Sequence, residues 1–169
     1  FIKNYRERID PNALNEKLEN IEKQVNHMVY LLDDVLTMGK ADAGKIEVDL
    51  SRVNTEYLKI LAEEVVGTAG TKHKLRYERN CDLTSFTTSE KLMRNIIINL
   101  LSNAIKFSPG ADEVVMNVTC DKENIFIKVK DWGMGIPPWD MKDLFTSFSR
   151  GSNVGAIEGT GLGLSIVKK

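Results

Sequence analysis

Apolar residues Leu14, Leu18, Ile21, Val25, Met28, Leu32 and Val35 recur at alternating steps of four and three. That rhythm predicts a long helix with one apolar seam, of the kind that packs against another helix along its length. Asp10 and Pro11 sit where an N-cap and a first-turn proline belong, and the helix is expected to run to Gly39 or Gly44. About three heptads of such a seam predict a two-stranded or four-helix contact, with residues 1–8 as the end of a preceding antiparallel helix. Ile46, Val48 and Leu50 then alternate as a strand. A second helical pattern covers residues 54–66, followed by a polar, Gly- and Thr-rich connection through Ser85. Ser89 caps a third predicted helix over residues 90–106. Val114, Met116 and Val118 alternate as one strand and Ile125, Ile127 and Val129 as the next, joined by an Asp-Lys-Glu-Asn turn into a hairpin. Residues 140–148 read as a short helix, residues 150–158 as a mobile loop, and a last helix starts at Leu162. Helices in series with a hairpin predict an α+β fold, its sheet covered by helices on one face.

Composition narrows the class. The 169 residues carry a formal net charge of -1, with 28% charged side chains, so no basic face for nucleic acid or an anionic membrane is expected. The apolar run at residues 96–101 is broken by Asn99 and is too short to span a bilayer. Cys81 and Cys120 match no metal spacing and make no disulfide framework, which leaves a reducing cytoplasm as the expected compartment. A first residue of Phe1 in place of methionine is read as a piece of something longer.

Three stretches carry candidate chemistry. Near the end, Gly159, Gly161 and Gly163 alternate before an apolar helix, a composition that cradles phosphate or forms a flexible turn. The spacing fits neither a dinucleotide fingerprint nor a Walker loop. In the third helix Asn95, Asn99 and Asn103 are spaced by four, with Lys106 and Phe107 after them on nearly the same face. Amides on an otherwise apolar helix need partners, so the stripe faces water or a ligand. An amide carbonyl suits Mg²⁺ and a lysine suits phosphate; Asn95 reads as solvated, Asn99, Asn103 and Lys106 as a site. Asp131 ends a strand ahead of Gly133 and Gly135, where a carboxylate can accept from an exocyclic amine or merely form an Asp-x-Gly turn. Phe145 and Phe148 read as packing anchors for a lid, with Arg150 as a phosphate contact.

In this order the stretches NIIINLLSNAIKFSPG, DWGMGIP, FTSFSR and GTGLGLSIV resemble the asparagine, first glycine, phenylalanine and second glycine boxes of sensor histidine kinases. These belong with the gyrase-type ATPases, and four ordered boxes over about eighty residues are far more specific than any one. VNHMVYLLDDVLTMGKADAGKIEVDL resembles the second helix of the family's dimerisation and phosphotransfer hairpin. The resemblance implies a partial hairpin over residues 1–45 and an ATP-binding catalytic domain over residues 46–169. Its fold would be a two-layer α/β sandwich, the Bergerat fold, preceded by a long coiled-coil-like helix.

Carried over by position, Asn103 would coordinate Mg²⁺ with help from Asn99, and Lys106 and Arg150 would contact the phosphates. Asp131 would read the adenine amine, Gly133 and Gly135 would make room for the base, and Phe107 would lie beside it. Gly159, Thr160, Gly161, Leu162 and Gly163 would wrap the phosphates, with residues 149–158 as the ATP lid. Gyrase-type ATPases have a water-activating glutamate where Asn99 stands, and an amide is no base near neutral pH. The implied chemistry is therefore transfer of the ATP γ-phosphoryl group to a histidine, for relay to a response regulator receiver domain, by a homodimer anchored to membrane only through other segments. An ATPase of the superfamily and a non-catalytic interaction module are the rival readings. The family's acceptor box is not matched: His27 and His73 read as surface residues, so this chain alone is not expected to autophosphorylate. The family also continues past the last helix with a hairpin that completes the sheet, so the end at Lys169 is read as a truncation.

Overall fold

The computed structural model describes residues 10–157 and 159–169, apart from the side chains of residues 11, 23, 26, 27 and 30. The expected helix over residues 1–8, the His27 side chain and the last lid residue lie outside the described residues. Helix α1 spans Pro11–Asp42, begun by Asp10, whose carboxylate accepts the Asn12 N–H. Its seam residues Leu18, Ile21, Val25, Met28, Leu32 and Val35 are all exposed in this single chain.

Strand β1, Ser51–Asn54, runs into helix α2, Thr55–Thr68, where the Asn54 side chain accepts the Glu56 N–H at 2.8 Å. Residues 46–50, read as a strand, have no regular structure: Val48 and Leu50 are exposed, with no strand beside them among the described residues. The polar connection instead holds two strands, β2 at Lys74–Asn80 and β3 at Ser85–Thr88. Strand β2 turns Leu75 and Tyr77 inward between exposed Lys74, Arg76 and Glu78, too few apolar residues for a sequence pattern to stand out. Partners make these strands. β3 pairs antiparallel with β1, and β2 pairs in parallel with β4, Glu113–Cys120, which forms the expected hairpin with β5, Ile125–Lys130. The mixed sheet has the order β2-β4-β5.

Helix α3, Glu90–Lys106, starts at the expected Ser89 cap. It buries Ile97, Leu101, Ala104 and Ile105 against Leu58, Leu61, Ala62 and Val66 of α2 and Val114, Met116 and Val118 of β4. Both helices lie on one face of the sheet, and the fold is the α+β sandwich expected. With 3.6 residues per turn, this buried stripe leaves Asn95, Asn99, Asn103 and Lys106 on the opposite side of α3. Past β5, the expected helix over residues 140–148 reduces to a 3-10 turn at Met141–Asp143. Successive three-residue bonds, Thr146 N–H to Asp143 and Ser149 N–H to Thr146, and a φ of 64° at Phe148 prevent a helical ladder. Helix α4, Gly163–Lys168, ends the chain and touches α1, where Lys169 pairs with Asp42 at 2.6 Å.

Two further expectations are corrected. Cys81 and Cys120 form a disulfide. The parallel register sets Asn80 beside Thr119, so the next residue on each strand meets its neighbour; the pairing is a property of the sheet and has no sequence spacing. His73 is not at the surface: it is 8% exposed, with Nε2 2.8 Å from the Ser108 carbonyl oxygen and Nδ1 2.9 Å from the Thr71 hydroxyl. It immediately precedes β2, where the turn after α3 packs against it.

Candidate functional site

The outer stripe of α3 is roofed by the last glycine run. A Cβ at Gly159 would lie 2.5 Å from Lys106 Nζ, and one at Gly163 would lie 2.3 Å from Asn99 Oδ1 and 3.8 Å from Asn103 Nδ2. Without a side chain at either glycine, the start of α4 lies directly against the ends of the Lys106 and Asn99 side chains. The two stretches that sequence reading set apart by about fifty residues thus form one wall. Within it the amides differ. Asn99 donates to the Asn95 carbonyl at 2.9 Å, whereas the half-buried Asn103 amide makes no hydrogen bond among the described residues. An unengaged amide oxygen one helical turn from a lysine is a donor set that fits a hard cation carrying phosphate.

The opposite end of the site forms where Asp131 leaves β5. Its carboxylate accepts the Gly133 N–H at 2.9 Å, and the Phe107 carbonyl accepts the Met134 N–H at 3.1 Å. A Cβ at Gly133 would stand 2.2 Å from that carbonyl oxygen, so glycine lets this turn lie directly on the C-cap of α3. Phe107, Asp131 and Gly133 therefore lie together, and the Lys106 ammonium, 5.1 Å from the Phe107 ring centre, lies between them and the glycine run. Gly135 lies further along the same loop at φ 69° with open space around it.

The lid side is built from backbone. Phe148 N–H donates to the Gly161 carbonyl at 3.0 Å, Thr160 Oγ1 accepts the Leu162 N–H at 3.2 Å, and Leu162 is buried. Arg150 donates to the Ile157 carbonyl across the loop, so its guanidinium here braces the lid. The aromatic anchors are not buried: Phe145 is 45% exposed under Lys168, and Phe148 is 69% exposed. Sequence reading missed the residues that tether the lid to the Asp131 loop. Asn153 donates to the Gly135 carbonyl at 3.0 Å, and Asp140 accepts from the Ser152 N–H at 2.7 Å and its hydroxyl at 2.9 Å. Trp139 donates to that same hydroxyl at 3.1 Å. Polar residues flanking a glycine loop were the available signal, but nothing in their spacing assigns partners.

A sandwich whose helix lays amides and a lysine under a glycine turn, with a strand-end carboxylate at the other end, defines a nucleotide-binding domain. Comparison with known proteins agrees. Residues 88–169 match the family described as histidine kinase-, DNA gyrase B-, and HSP90-like ATPase. The chain is 32% identical over 160 residues to the circadian input-output histidine kinase CikA of Thermosynechococcus vestitus, covering 91% of this chain and 22% of that protein. It is 29% identical over 154 residues to the sensor histidine kinase YxdK of Bacillus subtilis, covering 89% of this chain and 47% of that one. Among solved structures, the histidine kinase AdeS of Acinetobacter baumannii superposes with a TM-score of 0.69 at 21% identity, over 95% of this chain and 72% of that chain. Full-length ShkA, solved with AMPPNP, gives 0.72 at 24% identity, over 95% and 34%. These similarities support an ATP-binding catalytic domain of the sensor histidine kinase type, with the family match confined to residues 88–169. The chain spans about a fifth to a half of the length of these curated relatives.

Proposed function

We propose that the site binds ATP with Mg²⁺ and presents the γ-phosphoryl group to a histidine. The observation that carries this reading is the meeting of Gly159 and Gly163 with Lys106, Asn99 and Asn103, which makes one anion-ready wall. Asn103, with its unengaged amide, would hold the metal with Asn99 beside it, and the metal would neutralise phosphate charge. The chain's own residues do the rest. Lys106 attracts the phosphates, Thr160 and the backbone of residues 159–163 wrap them, Asp131 accepts the adenine amine, and Gly133 and Gly135 leave room for the base beside Phe107. Arg150 would leave the Ile157 carbonyl to approach the terminal phosphate once the lid closes. The acceptor nitrogen attacks the γ-phosphorus as its bond to the β-bridging oxygen breaks, and ADP leaves. Positioning and charge neutralisation are what the protein contributes to such a step.

Asn99 favours transfer over hydrolysis, because an amide cannot take a proton from water. In the whole protein the exposed seam of α1 would pair with another hairpin helix in a dimer, with residues 1–45 belonging to that hairpin and residues 46–169 to the catalytic domain. The phosphoryl group would pass to a receiver domain. No helix among the described residues is long and apolar enough to cross a membrane. Titration calorimetry with AMPPNP tests this reading. Saturable binding strengthened by Mg²⁺ is expected, with a phosphohistidine formed once an acceptor hairpin is supplied. Absence of binding by a folded sample, or steady ATP hydrolysis without phosphohistidine, would overturn the proposal.

A further inference from the structure

The one buried histidine of the described residues has no part in the chemistry above, yet it holds the chain segment on which the base end of the site rests. His73 immediately precedes β2, next to the turn that follows α3. A carbonyl oxygen can only accept, so Nε2 carries a proton and donates to Ser108 O at 2.8 Å, while Nδ1 lies 2.9 Å from the Thr71 hydroxyl. Ser108, 1% exposed, directs its own hydroxyl proton to the Ala104 carbonyl. Its carbonyl also accepts the Ala111 N–H at 3.0 Å, and the next residue, Pro109, has no N–H to offer. The imidazole therefore supplies one of the two donors to Ser108 O, the one that ties this residue to the segment leading into β2.

The neighbouring peptide is the one that matters for the site. The Phe107 carbonyl takes the Met134 N–H and is the surface on which Gly133 lies, and the Gly133 N–H in turn holds the Asp131 carboxylate. We infer that His73 is a positioning residue for base recognition: through Ser108 it sets the Phe107 carbonyl, and through that carbonyl the Gly133 turn and the Asp131 carboxylate. The inference rests on the reading of the site as an ATP site. It assigns a role to a residue that touches neither phosphate wall nor lid, and it predicts an effect confined to the base end.

The test is calorimetric affinity for AMPPNP of the parent chain, His73→Ala, His73→Gln and Asp131→Asn, with the double variants. Removing the donor should weaken AMPPNP binding about tenfold, the order of one buried hydrogen bond. Glutamine, whose amide can still donate to Ser108 O, should restore affinity to within about threefold. In the Asp131→Asn background the loss from His73→Ala should largely disappear, because the carboxylate it positions is already gone. Inorganic tripolyphosphate, which lacks a base, should compete equally well with all His73 variants. A folded His73→Ala chain with parental affinity, or a loss that simply adds to that of Asp131→Asn, would refute the inference. Should His73→Ala fail to fold, His73→Asn, whose shorter amide stops short of Ser108, carries the same comparison. A parent chain that binds no AMPPNP would overturn the ATP reading itself, and this inference with it.

Discussion

Gly133→Ala is the sharpest perturbation the structure offers, because the new methyl has no room and the atoms it meets are backbone. Its Cβ would sit 2.2 Å from Phe107 O, 2.8 Å from Phe107 C and 2.9 Å from Asp131 Oδ1. Side chains can rotate aside, but the Phe107 carbonyl is held by the C-cap of α3, whose own N–H bonds to Asn103 at 2.9 Å. Relief requires the Gly133 turn to lift by about an ångström, enough to break the Met134 N–H bond to Phe107 and the Gly133 N–H bond to Asp131. A neutral hydrogen bond is worth about 1 kcal/mol net and one to a carboxylate about 1.5–3 kcal/mol, so the base end should lose about 2–4 kcal/mol. That corresponds to roughly 30- to 1000-fold weaker AMPPNP binding. Gly135→Ala is the control: its φ of 69° costs an alanine about 1–2 kcal/mol, but nothing lies within 4 Å of the added methyl. Calorimetry should show Gly133→Ala losing far more affinity than Gly135→Ala, with thermal melts confirming that both chains fold. Equal affinities for parent and Gly133→Ala, or a greater loss for Gly135→Ala, would refute the close approach of this turn to the helix.

Other expectations follow from the same contacts. Gly163→Ala should leave the fold intact, since the atom it meets is the end of the Asn99 side chain, yet reduce the gain in AMPPNP affinity that Mg²⁺ confers; an unchanged gain would separate Asn99 from the metal. The disulfide closes a loop of sequence separation 39 that contains all of α3, so reduction or Cys81→Ser should cost up to about 4 kcal/mol and lower the melting temperature by roughly 10 °C. Coincident melts with and without reductant would count against it. Tyr77 places its hydroxyl in the core with no partner among the described residues, so Tyr77→Phe should raise stability by about 1 kcal/mol in denaturant unfolding, and a loss would reveal a partner. Asp121 accepts the Glu123 and Asn124 N–H groups in the β4–β5 turn, which holds its carboxyl below the ordinary aspartate range. Its folded-state value being the lower, the stability it contributes is present above the unfolded value and lost as pH falls through the folded one. NMR titration of Asp121 should show the low midpoint, and Asp121→Asn should flatten that acid-side loss.

Local pattern alone determined the long helix α1, the α3 helix with its Ser89 cap and the β4–β5 hairpin, whereas the four boxes were legible only through their resemblance to a family. The two helices and the hairpin depend on spacing within an element, where period and capping act over a few residues. What only the tertiary structure decided is the pairing of distant segments. Strands β2 and β3 carry little apolar pattern of their own and exist because β4 and β1 lie beside them. The same parallel register joined Cys81 to Cys120, which no spacing rule connects, and burial of the turn after α3 placed His73 inside. In the site, sequence named Asn99, Lys106, Gly159 and Gly163 separately. Packing of the start of α4 on the amide face of α3 is what brings them to one surface. Hydrogen bonds and close packing act through space, so the partners of His73, Asn153 and Asp140 became legible only once the chain was folded.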